Sequence, residues 1–152
     1  NAARVPLIIS APGMEDAGES SGSPVEMLDI YPTLAEMCRL RAPSYLSGRA
    51  LSMELKSPSY VSKLGALTQY DSGYSVRTAR YRYTEWGESG NAGAELYDHE
   101  TDPREMVNLA GRPEHAATAR KLAAKLRFRI ERAQKKAEGY TQIQFENRRC
   151  VK

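Results

Sequence analysis

Residues 4–10, Arg-Val-Pro-Leu-Ile-Ile-Ser, form an unbroken apolar run closed by Ala-Pro-Gly. Apolarity without alternation suits a strand covered on both faces, as in a parallel sheet. No strand–helix–strand repeat follows to supply neighbours, so the strand reads as orphaned and the chain as part of a longer protein. The polar stretch 14–23, rich in Gly, Ser, Glu and Asp, reads as a loop. Ser23-Pro24 has the form of a helix cap followed by Pro at the first helical position. Met27, Ile30, Tyr31, Leu34 and Met37–Cys38 then recur at helical spacing, which predicts a helix from about Val25 to Cys38. Pro32 removes one donor, so a kink or restart is expected near Asp29–Thr33. Cys38 falls on the apolar stripe and is expected to be buried.

Residues 39–65 carry loop signals at Ala42-Pro43-Ser44 and Ser47-Gly48-Arg49, with one or two helical turns expected over Ala50–Leu55. The pattern changes at residue 66. Ala66–Tyr70, Tyr74–Thr78, Tyr81–Trp86 and Ala94–Asp98 are short runs rich in Tyr, Thr, Val and Trp. Asp71-Ser72-Gly73 and Ala79-Arg80 are short enough to join antiparallel neighbours, and Gly87–Gly93 reads as a longer hairpin loop. These runs predict a four-stranded antiparallel sheet with one polar face, where Arg77, Arg80 and Arg82 interleave with aromatics.

Asp102-Pro103 marks a turn, with Asp102 placed to cap a short helix through Leu109. Arg112-Pro113 then opens a long helix expected to run to about Glu138 and to end at Gly139. Its seam is Ala119, Leu122, Ala123, Leu126, Ile130, Ala133 and Ala137. Phe128 falls off that stripe. The fold class is therefore α+β: a four-stranded antiparallel sheet packed with a long C-terminal helix, preceded by a strand and a helix.

Charge refines this picture. The net charge is only +3, yet residues 112–137 hold nine Lys/Arg against two Glu. Such a block fits either the solvated face of a helix or a surface for polyanions. Two cysteines, Cys38 and Cys150, make neither a disulfide framework nor a zinc site. No apolar run approaches the ~20 residues that cross a bilayer, so no membrane association is expected.

No reaction type finds a full set of residues. His99 sits among turn residues and His115 in the first turn of a helix; either position fits a surface side chain or a base. Glu95, Asp98, Glu100, Asp102 and Glu105 cluster, but without the glycine and ligand order of a calcium loop, so they read as turn and capping residues or as a loose metal site. Arg77 fits two roles: holding an anionic substrate group, or pairing in the interior with Asp98 or Glu95.

An ordered series of segments carries a family resemblance. It runs Arg4-Val5-Pro6-Leu7-Ile8-Ile9-Ser10-Ala11-Pro12-Gly13, Asp29-Ile30-Tyr31-Pro32-Thr33-Leu34, and Gly48-Arg49-Ala50-Leu51. It continues through Gln69-Tyr70, Gly73-Tyr74-Ser75-Val76-Arg77-Thr78 and Tyr81-Arg82-Tyr83-Thr84-Glu85-Trp86. It closes on Glu95-Leu96-Tyr97-Asp98, Asp102-Pro103 and Glu105 with Asn108-Leu109-Ala110. Together these resemble the C-terminal part of type I sulfatases, in the alkaline-phosphatase-like superfamily, and within it the iduronate-2-sulfatase group.

The resemblance implies hydrolysis of sulfate esters of sulfated carbohydrate by the full-length enzyme, with the fragment alone inactive. It implies a formylglycine nucleophile, made from a Cys/Ser-x-Pro-x-Arg motif, and a calcium ion. Both belong to an N-terminal catalytic domain, so no cofactor and no catalytic or metal residue is carried over here. Cys38 is followed by Arg39-Leu40 and Cys150 by Val151-Lys152, so neither begins that motif. On this reading residues 3–40 are the last strand and helix of the sulfatase α/β core, and 41–65 are linking loops. Residues 66–138 are the C-terminal subdomain and 139–152 a tail. Arg77, with Gln69 and Tyr70, is the implied substrate-binding set. The missing catalytic domain is the implied partner. The unpaired strand Val5–Ser10 is expected to self-associate or stay disordered. An exported, periplasmic or lysosomal location follows from the family alone.

Overall fold

The computed structural model describes residues 3–135. A short 3-10 turn, Met27–Asp29, runs into helix α1 (Ile30–Met37), and α2 (Ser52–Lys56) follows. Strands β1 (Ala66–Tyr70), β2 (Gly73–Arg77), β3 (Tyr81–Trp86) and β4 (Gly93–Asp98) come next. The long helix α3 (Ala116–Gln134) closes the order. The strands pair antiparallel in sequence order, as their turn residues require. Asp71 takes φ 49° in the two-residue connection between β1 and β2.

The register places Leu67, Val76, Tyr83 and Leu96 in one row across the sheet. α3 packs on that row through Leu122, Ala123 and Leu126, with Ala119 and Ile130 beside them. Val76, Leu96 and Leu126 are fully buried. Each such side chain contributes ~1.5–3 kcal/mol, against a few tenths for an exposed ion pair, so this row fixes how helix meets sheet. Phe128 is exposed, as its position off the seam predicts. Arg129 is buried, which the seam did not predict.

The outer edge of β4 is completed by the loop after it. The Asn108 side chain accepts from Leu96 N (3.0 Å) and donates to the Ala94 carbonyl (3.0 Å), while Leu109 N donates to the Leu96 carbonyl (2.8 Å). At β1, Leu67 N donates to the Glu26 carboxylate (2.8 Å).

The structure corrects five expectations. Residues 5–10 form no strand: a strand needs a paired edge, and Asn108–Leu109 already lie along one end of the sheet and Glu26 against the other. Val5 and Ile8 are consequently exposed. The helix expected from Val25 starts as the turn at Met27, because Ser23 does not cap it. Ser23 Oγ instead donates to Glu54 (3.1 Å) and accepts from Ser62 N (3.0 Å). The restart near Asp29–Thr33 is present, and Pro32 sits in the first turn of α1, where its missing N–H costs nothing.

Cys38 is exposed rather than buried, since α1 turns Pro32 and Thr33 inward and leaves Tyr31 and Leu34 outside. Finally, no helix forms over 103–109. The Asp102 carboxylate accepts from Met106 N (2.7 Å) and Val107 N (2.8 Å), folding that segment as a tight loop. α3 ends at Gln134, short of the expected Glu138, because Lys135 turns to extended backbone. The expected stop at Gly139, the seam residue Ala137, Cys150 and the 139–152 tail lie outside the described residues.

Candidate functional site

The N-terminal motifs prove to be structural joints. Asp29, 3% exposed, accepts from Glu26 N (3.0 Å) and Arg49 N (2.9 Å). Thr33 Oγ1 donates to the Asp29 carbonyl (2.5 Å) and accepts from Leu51 N (3.0 Å). Gly48 lies so close to the Leu28 carbonyl that no side chain fits there. The Asp-Ile-Tyr-Pro-Thr helix and the Gly-Arg-Ala-Leu loop are thus one clasp. Arg49 closes it with an ion pair to Glu54, whose carboxyl that guanidinium holds below its usual range against the opposing effect of burial.

Side chains alternate across a strand, so the residues beside the buried row face away from α3. One row on that outer face is Ala66, Arg77, Arg82 and Tyr97. Arg77 donates to the main-chain carbonyls of Thr78 and Tyr81. Neither Asp98 nor Glu95 pairs with it: Asp98 takes Arg80 (2.7 Å), and Glu95 accepts from Trp86 Nε1 (3.1 Å). Among the described residues no carboxylate lies within 4.0 Å of Arg77.

Burial pushes the Arg77 guanidinium below its ordinary pKa, and the charges of Arg82 and Arg4 push the same way, with Glu105 opposing. Arginine keeps its proton regardless. Glu105 is the acid of this patch. It takes φ 58° in the loop tied by Asp102, and it meets Arg82 Nε (2.6 Å) and His99 Nε2 (2.7 Å). Arg77 and Arg82 are half-buried and Arg4 is exposed, so positive charge outweighs Glu105 among these residues.

The three residues read from the sequence as a substrate set do not converge. Tyr70 shares the outer face with Arg77 but sits at the far end of the sheet, opposite Gly73. Arg77 is opposite Ala66, four residues and about 13 Å along β1. Gln69 points to the α3 side, where it lines a groove.

The remaining carboxylates are also occupied. Glu100 pairs with Arg80, and Asp102 with backbone amides. Among the described residues no group of three or more His, Cys, Asp or Glu stands together. The donors present among the described residues do not fit a calcium ion. His115 stands at the start of α3.

The sequence reading missed Glu26 and Arg129. Glu26 accepts from Leu67 N and from Arg129 Nη2 (2.5 Å), joining the first segment to β1 and α3 across 103 positions. The Glu26-x-x-Asp29 spacing, a capping-box pattern, was the available signal.

With this geometry in place, the comparisons with known proteins decide the family. Residues 1–133 match the C-terminal family of N-sulphoglucosamine sulphohydrolase. The chain belongs to that family. A sulfatase of Formosa agariphila is 32% identical over 111 residues, covering 72% of this chain and 21% of that protein. The Delta 4,5-hexuronate-2-O-sulfatase of Bacteroides thetaiotaomicron is 33% identical over 127 residues, covering 74% and 25%. The solved structure of a 2-O GAG sulfatase superposes with a TM-score of 0.57 at 30% identity, covering 69% of this chain and 24% of that one. This sulfatase C-terminal domain thus spans about a fifth to a quarter of the length of the relatives it matches. Among the described residues no helix is long and apolar enough to cross a membrane.

Proposed function

We propose that this domain is the C-terminal part of a sulfuric ester hydrolase acting on sulfated sugars, in the iduronate-2-sulfatase-like group. Its substrate class is a 2-O-sulfated uronate. The likeness to a hexuronate-2-O-sulfatase and to a 2-O GAG sulfatase supports that choice. Residues 3–40 then extend the catalytic core, 41–65 link, 66–138 form the subdomain, and 139–152 are a tail. Nucleophile and calcium belong to the preceding domain, and a formylglycine hydrate with calcium would attack and polarise the sulfate when present. The whole enzyme works in an exported, periplasmic or lysosomal setting.

One observation carries the role of this domain: Arg77 is a desolvated guanidinium without a carboxylate partner within 4.0 Å among the described residues. A sulfate or uronate carboxylate would supply it. Arg77 is the substrate contact in this reading, with Gln69 and Tyr70 touching more distant parts of a longer sugar.

The test uses the full-length enzyme with a 2-O-sulfated unsaturated uronate disaccharide. Arg77→Gln should raise KM by about tenfold, with a smaller change in kcat, and Arg77→Lys should restore part of it. Unchanged KM in Arg77→Gln would remove Arg77 from the site. Absence of sulfate release from any sulfated sugar by the wild-type enzyme would overturn the function itself.

A further inference from the structure

We infer that the groove between β1, the 44–47 loop and the last turns of α3 is a second anion site, which holds a neighbouring segment of a sulfated oligosaccharide chain. The sugar identity rests on the function proposed above. The groove itself rests on its own geometry. It encloses about 830 Å³, within the range of sites that hold ligands of several rings. Gln69, Tyr74, Tyr45, Arg132 and Lys135 are among the residues that line it.

Charge selects the occupant. Glu26 is the acid lining this groove, and it is already neutralised by Arg129 (2.5 Å). Among the described residues, no carboxylate lies within 4.0 Å of Arg132 or Lys135, and both are exposed. The C-terminal end of a helix by itself repels anions. Attraction here therefore depends on the two side chains, and removing them should leave little. Tyrosine rings and an amide give a sugar its apolar face and its hydroxyl partners. The Arg77 patch lies on the other face of the sheet, so the groove is a separate contact along a polymer.

The experiment is a titration of the 152-residue chain with a heparin-derived octasaccharide at rising NaCl. Wild type should bind, and the affinity should fall steeply with salt. Arg132→Ala with Lys135→Ala should weaken binding about tenfold at low salt and flatten the salt dependence. Arg132→Glu with Lys135→Glu should weaken it further. Arg120→Ala with Lys121→Ala, elsewhere on the exposed surface of α3, should change it less than twofold.

Equal losses in both double-alanine variants would overturn the groove in favour of diffuse charge. So would undiminished binding in the Arg132/Lys135 variants. An oligo-dT of equal charge that binds as tightly as the octasaccharide would overturn the sugar as occupant. Because no turnover is read, a full-length enzyme without sulfatase activity would sink the proposed function and leave this result standing.

Discussion

Replacing Asp29 by Ala tests whether the most recognisable N-terminal motif is a joint. The carboxylate is 3% exposed and receives the amides of Glu26 at 3.0 Å and Arg49 at 2.9 Å. Alanine leaves both donors without their acceptor. Each unsatisfied donor costs about 1–3 kcal/mol when buried, and these two amides are only partly so. The expected loss is therefore near the low end for each, about 2–4 kcal/mol together. With a urea slope of about 2 kcal/mol/M, the midpoint should fall by ~1–2 M at constant slope. Asp29→Asn keeps one acceptor and should lose about half as much. Hydrogen exchange gives the local readout: the Arg49 amide should lose protection in Asp29→Ala, and Leu51, held by Thr33 rather than Asp29, should lose less. A stability within about 0.5 kcal/mol of wild type, or an unaltered Arg49 amide, would refute the clasp.

Two further perturbations probe other parts of the fold. Arg80 holds the Asp98 carboxyl below its ordinary pKa, through the hydrogen-bonded pair first and despite burial. A depressed folded pKa contributes stability that is complete above the unfolded value near ~4 and is lost as pH falls through the folded one. Arg80→Ala should therefore shift the onset of acid unfolding to higher pH, measured as thermal midpoint between pH 2 and 6; an unmoved onset would contradict the pair's role. Gly48→Ala would drive a methyl group into the Leu28 carbonyl, with Asp29 N at 2.9 Å, so backbone must move. A loss of about 3 kcal/mol or more is expected in urea denaturation, and a loss below ~1 kcal/mol would show that the loop relaxes freely.

The sheet was legible because its signals are local. Turn residues and runs of Tyr, Thr and Val set the order and nearly the ends of all four strands, and the α3 seam follows from a 3.6-residue period. The N-terminal segment was not, since its fate depends on what lies against it. Val5–Ser10 has the composition of a buried strand, but pairing needs an edge, and composition supplies none. α1 shows a stripe whose burial the periodicity could not orient, so the polar Thr33 faces inward and Cys38 outward. Among candidate site residues, Arg77 was chosen from its strand, and its lack of a carboxylate partner among the described residues emerged only with the fold. Arg80, three residues on, takes the Asp98 that was one of two carboxylates weighed as a partner for Arg77. Glu26 and Arg129 are 103 positions apart, a distance over which no local pattern reports a contact.

The outward stripe of α1 yields the remaining test. Tyr31 is 58% and Leu34 50% exposed, and Met27 in the preceding turn is exposed too. Covering a half-exposed side chain of this size contributes about 1 kcal/mol. Three together would add about 3 kcal/mol to the docking of a catalytic domain, the partner that the proposed function requires. Leu34→Glu separates the open face from the covered one. In the isolated 152-residue chain the new carboxylate stays in water, and stability should change by no more than about 0.5 kcal/mol, with solubility improved. In the full-length enzyme the same carboxylate would be buried without a partner and should cost about 2–4 kcal/mol. Urea denaturation of both forms, with and without the substitution, measures the difference. An equally small effect in both would mean that α1 stays open to solvent in the whole protein, and the catalytic domain would have to dock elsewhere.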